Sequence, residues 1–114
     1  MRFGEILKTQ EAEGKEKHVP VIEIKKGAEG GEDTVMITVG KEVPHPNTVE
    51  HHIKWIQLHG IKENGQVVHL GTFDLGPIYA SPKVITHVKL NEFKTLFALE
   101  YCNIHGLWEN SIEV

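Results

Sequence analysis

The sequence predicts an all-β fold, a sandwich or small barrel of about seven short strands. Three observations lead there. Short apolar runs alternate with polar residues, which is the period of an extended chain with one buried face. Gly, Pro, Asn and Asp break these runs, as at Asn64-Gly65, Gly76-Pro77 and Ser81-Pro82. No segment keeps a helical period over the length of a typical helix.

The strands follow in order. In residues 19–24, Val19, Val21 and Glu23 share one side and Pro20, Ile22 and Ile24 the other, with Ile22 and Ile24 as the inward pair. Residues 34–40 alternate Val35, Ile37 and Val39 against Thr34, Met36 and Thr38, a half-buried strand. Residues 51–61 set Ile53 and Trp55 on one face and Ile56 and Leu58 on the other, which requires a bulge or burial on both faces. Residues 66–75, 83–90 and 95–102 continue the series. The charged stretches 10–17 and 25–33 read as solvated loops.

A chain of 114 residues is expected to form one domain, 1–114, large enough to bury a core without disulfides. Its 12 basic and 16 acidic residues give a net charge of −4. No Lys/Arg block interleaves with aromatics, so a nucleic-acid partner is not expected. No apolar run approaches the ~20 residues that span a bilayer, and the start lacks a signal-peptide core. The expected location is the cytoplasm, away from membranes, and one cysteine fits a reducing compartment.

Histidine is the unusual component, with eight in the chain. Imidazole is the commonest protein metal ligand. Cys102 and His105 end a strand and enter a loop, and Gly106 permits a tight reversal. His45 lies between Pro44 and Pro46, so its backbone has few conformations to lose. Asn47 and Glu50 have capping-box spacing, which predicts one helical turn before His51. His51 and His52 face opposite ways in an extended chain, so at most one joins His45. Glu16 and His18 project together just before the first strand, with Lys17 opposite.

One thiolate with three or four imidazoles suits a transition metal rather than calcium or magnesium. Structural zinc usually takes paired cysteines, which this chain lacks. Iron or copper remains. A cupredoxin-like electron carrier would use two His, one Cys and a weak axial ligand, often Met. No Met follows His105, since only Met1 and Met36 are present. A non-catalytic metal-binding module is the other alternative.

Three stretches, KEKHVPVIE, VGKEVPHPNTVEHH and YCNIHGLWE, resemble the signature segments of superoxide reductases of the single-iron neelaredoxin type. They occur in the family's order, and the resemblance runs from Glu16 to Glu109. It implies an immunoglobulin-like β-sandwich. It implies one non-haem iron per chain, with His18, His45, His51 and His105 in the equatorial plane and Cys102 axial, His105 binding through a different ring nitrogen from the others. His52 then stays outside. The implied activity is one-electron reduction of superoxide to hydrogen peroxide. Lys17 would draw in superoxide and order a proton-delivering water, and Glu16 would bind the oxidised iron. With one cysteine, the chain is expected to lack the rubredoxin-like iron domain of desulfoferrodoxins. Rubredoxin or a similar small carrier would then supply electrons, and the resemblance implies a homo-oligomer, a tetramer. His59, His69 and His87 are expected to be structural or surface residues. Trp55 and Trp108 are expected in the core, with Trp108 shielding the iron.

Overall fold

The alternation in residues 34–40 becomes burial: Val35, Ile37 and Val39 point inward while Thr34, Met36 and Thr38 do not. The computed structural model describes residues 1–12 and 17–114. Among them run seven strands: β1 (Val21–Lys25), β2 (Asp33–Thr38), β3 (Ile53–Lys62), β4 (Val67–Asp74), β5 (Lys83–Val88), β6 (Phe93–Cys102) and β7 (Gly106–Glu113). Two 3-10 turns, Phe3–Glu5 and Gln10–Ala12, precede them. No described helix is long and apolar enough to cross a membrane.

The strands form two sheets, ordered β1-β2-β5 and β4-β3-β6-β7, and every pairing is antiparallel. Ile22, Val35, Ile37 and Val84 of the smaller sheet meet Ile56, Leu58, Leu96 and Ala98 of the larger in one buried cluster. Burial of this apolar surface is the main force that holds two sheets face to face. Asn110 of β7 ties the sheets at one edge by donating to the Pro20 carbonyl at 2.9 Å.

The expected irregularity in β3 is present. Its register against β6 shifts between Ile53 and Trp55, and against β4 between Leu58 and His59. The first shift lets Ile53 join Ile56 and Leu58 in the core. It also turns Trp55 out of the core, where its ring stacks on Tyr101 with centroids 5.9 Å apart. The expectation that Trp55 is a core residue therefore fails, whereas Trp108 is buried.

The capping-box turn does not form either. Asn47 sends its side chain away, accepting from Ile78 N–H at 2.9 Å and donating to the Ala80 carbonyl at 3.2 Å. Thr48 instead shapes the turn: its hydroxyl accepts from His51 N–H at 3.0 Å, and its own N–H donates to the His51 carbonyl. A Thr side chain bonding a nearby backbone amide offers the chain this alternative to a helix.

Candidate metal centre

The described candidate ligands His18, His45, His51, Cys102 and His105 come from the ends of strands and the loops that join them. Cys102 closes β6 and is fully buried at the margin of the core. The chain then reverses, with Gly106 at φ +84° pairing back onto Cys102, so that β7 runs beside β6. Glycine takes that backbone conformation without the steric cost of a Cβ. The reversal carries His105 back over the thiol. His105 N–H points at Cys102 Sγ from 3.4 Å, and His105 Nδ1 lies 3.8 Å from the same sulfur.

Asn103 holds this loop against the segment bearing His51. Its side-chain oxygen accepts from His52 N–H at 2.8 Å, and its amide donates to the Glu50 carbonyl at 2.9 Å. His52 is buried, and its Nδ1 faces the Thr48 and Val49 carbonyls at 3.1 Å each. That use of the ring keeps His52 in the loop's own bonding.

His45 arrives from the loop after β2. Its Nδ1–H donates to the Pro46 carbonyl at 2.7 Å, which fixes the tautomer and leaves Nε2 as the base. Nε2 lies 3.7 Å from Cys102 Sγ. Gly40 makes room for this loop, since a Cβ there would sit 2.5 Å from the His45 nitrogen. His18, two residues before the buried Pro20, stacks flat on Trp108 with centroids 4.6 Å apart and planes 12° apart.

Four imidazoles thus close a ring. Successive centroids are 4.8 Å (His18–His45), 4.7 Å (His45–His51), 5.1 Å (His51–His105) and 4.8 Å (His105–His18) apart. Their planes cross at 59° to 81°. Edges of 4.7 to 5.1 Å leave room for a single metal ion among the four rings. Ligand atoms of His18, His51, Cys102 and His105 lie within 4.8 Å of one another. The donor set fits a six-coordinate iron with one position to spare better than tetrahedral zinc. No methionine joins it: Met36 lies on the other face of β2 from Val35 and Ile37, and Met1 is fully exposed.

The remaining predicted residues divide. Glu16 lies outside the described residues. Lys17, next to His18, lines a recess of about 310 Å³ with Gln10, Lys41 and Asn110. His59 and His69 face each other across β3 and β4, with centroids 5.1 Å apart, and burial together with the His69 charge lowers the pKa of His59. His87 pairs with the Thr34 hydroxyl at 3.3 Å.

Sequence reasoning missed Glu100. It is fully buried two residues before Cys102, and its carboxyl oxygens have no hydrogen-bond partner among the described residues. Burial raises its pKa to about 9, so the carboxyl is protonated at neutral pH. The signal was present: the alternation of β6 puts Glu100 on the inward stripe of Leu96, Ala98 and Cys102. Lys8 and Asn103 were missed as well.

Comparison with known proteins shows the family. The family model described as Desulfoferrodoxin matches residues 10–111. The superoxide reductase of Pyrococcus abyssi is 46% identical over 103 residues, covering 87% of this chain and 88% of that protein. The neelaredoxin of Megalodesulfovibrio gigas is 38% identical over 110 residues, covering 84% and 85%. The solved superoxide reductase (neelaredoxin) of Ignicoccus hospitalis superposes with a TM-score of 0.88 at 38% identity, covering 100% of this chain and 98% of that one.

Proposed function

This chain belongs to the desulfoferrodoxin family, and from that premise we propose how its metal centre works. The protein is a superoxide reductase with one iron per chain, bound at the His/Cys cluster. The observation that carries this reading is the closed ring of four imidazoles around the Cys102 thiol. When bound, the iron supplies one electron to superoxide, which with two protons leaves as hydrogen peroxide.

The chain's own groups set the conditions. We assign His18, His45, His51 and His105 as neutral ligands and Cys102 as the single anionic one. Four neutral imidazoles and one thiolate leave a net positive charge on ferrous iron, which attracts an anion. His105 presents Nδ1 to the site where His45 presents Nε2. The Cys102 thiolate lends electron density to the metal, as thiolates do in haem proteins. Trp108 covers His18 and keeps water from that ring. Lys17 is the cation that draws superoxide in and orders a proton-delivering water. Glu16 would be the carboxylate that binds the oxidised metal.

Further assignments rest on the family likeness. A small redox protein of the rubredoxin kind resets the iron, the chains assemble as a homo-tetramer, and the protein works in the cytoplasm. Residues 1–114 act as one iron-binding domain. The sheet orders β1-β2-β5 and β4-β3-β6-β7 support an immunoglobulin-like description of the sandwich.

The test is metal content after anaerobic purification, then reaction with pulsed superoxide. One iron per chain, a thiolate-to-iron band on oxidation, and peroxide without oxygen are expected. Bound zinc, or iron inert to superoxide, would leave a non-catalytic metal module.

A further inference from the structure

The segment before β1 carries a lysine that the ligand pattern does not use. Lys8 lies between the two 3-10 turns, and its backbone is stitched to β7 on both sides of Trp108. Lys8 N–H donates to the Leu107 carbonyl at 3.0 Å, and Glu109 N–H donates to the Lys8 carbonyl at 2.9 Å. Two backbone bonds so close together fix where the side chain starts.

The side chain reaches the metal centre's supports. Lys8 Nζ donates to the His105 carbonyl at 2.9 Å. It also stands 5.3 Å from the centroid of the Trp108 ring. Trp108 Nε1–H donates to the same His105 carbonyl at 3.2 Å, and its ring stacks on His18. One ammonium therefore holds the backbone of one ligand residue and the ring that packs on another. A cation over an indole face is attracted by the ring quadrupole, and a charged donor makes a stronger bond to a carbonyl than a neutral one.

We propose that Lys8 is a positioning residue of the metal centre, fixing His105 and the Trp108–His18 stack while its charge favours the reduced state of the bound metal. The inference rests on the iron-centre reading and adds to it a part for the N-terminal segment. Two consequences separate its roles. Loss of the bonds loosens two of the four imidazoles, so the metal binds more weakly. Loss of the charge removes a repulsion that is larger for the more positive, oxidised centre, so the midpoint potential falls.

The test compares Lys8→Met, which keeps most of the apolar stem, with Lys8→Arg, which keeps the charge and the donor. Cobalt(II) titration of the metal-free protein reads the site without turnover, and redox titration of the iron protein reads the potential. Lys8→Met is expected to bind cobalt about tenfold more weakly, the scale of one charge-assisted hydrogen bond, and to shift the potential downward. Lys8→Arg is expected to restore both. Lys8→Gln, a smaller change with a neutral donor, serves if the Met variant does not fold, and should lower the potential as well. Wild-type affinity and potential in Lys8→Met or Lys8→Gln would overturn the proposal. Equal loss in Lys8→Arg would overturn it too, because the cation would then not matter. A wild-type protein that binds cobalt normally but is inert as an iron protein toward superoxide would defeat the functional reading instead.

Discussion

Replacing Glu100 by Gln should flatten the pH dependence of stability. Glu100 is fully buried between Ala98 and Cys102 on the inward stripe of β6. Burial alone raises its pKa from 4.5 to about 9. The folded chain therefore keeps a proton on this carboxyl at pH 7, while the unfolded chain has released it. Between those two values the folded state binds one proton more, so this group makes stability fall as pH rises. The slope is about 1.4 kcal/mol per pH unit, and from 4.5 to neutrality the cumulative loss is about 3 kcal/mol. Gln has nearly the same shape and cannot ionise. Whatever the buried amide costs is an offset, so the difference between the two proteins isolates the slope. The assay is urea unfolding of the iron-loaded proteins under anaerobic conditions between about pH 6 and 8, where the difference should change by roughly 3 kcal/mol. Parallel curves would refute the reasoning, because they would mean that the carboxyl titrates alike in both states.

The other predictions concern the centre directly. Gly40→Ala should cost about 2 kcal/mol or more, since position 40 has φ +81° and the added Cβ would meet the His45 nitrogen; urea unfolding and iron content should both show the loss. Cys102→Ser should abolish the thiolate-to-iron band and turnover, and normal activity would remove Cys102 from the metal. Lys17→Ala should slow superoxide capture at low ionic strength while leaving the optical spectrum in place, as expected of a steering charge. An unchanged capture rate would end that role.

Much of the fold was legible because one face of most strands is buried. Wherever the core wants every second residue, as at Val35, Ile37 and Val39, the alternation is visible in the chain itself. The need for a bulge shows in residues 51–61 themselves, but its place after Ile53, which decides where Trp55 points, is a property of the β3–β6 pair. The turn before His51 was misread for a similar reason. Asn47 finds its partners at Ile78 and Ala80, about thirty residues on, and local spacing says nothing about them. The candidate ligands were legible because imidazoles beside a single thiol are chemically distinctive. Their supports were less so. Asn103, Lys8 and Trp108 act through backbone carbonyls and ring faces, which common residues supply.

The placement of the ligands explains why a β-sandwich can hold such a site. His18 precedes β1 and His45 lies in the loop from β2 of the smaller sheet to β3 of the larger, while His51 precedes β3 and Cys102 and His105 stand at the β6–β7 reversal of the larger sheet. The ring of imidazoles can close only when both sheets are packed in register. The buried cluster that includes Ile22, Ile37, Ile56 and Leu58 thus sets the relation of the two halves of the metal centre. Side chains in such a core have little freedom to shift, so the two sheets that carry the ring keep one relation to each other. This is the sense in which the hydrophobic pattern and the histidine pattern form one design: the first builds a rigid end to the sandwich, and the second occupies it.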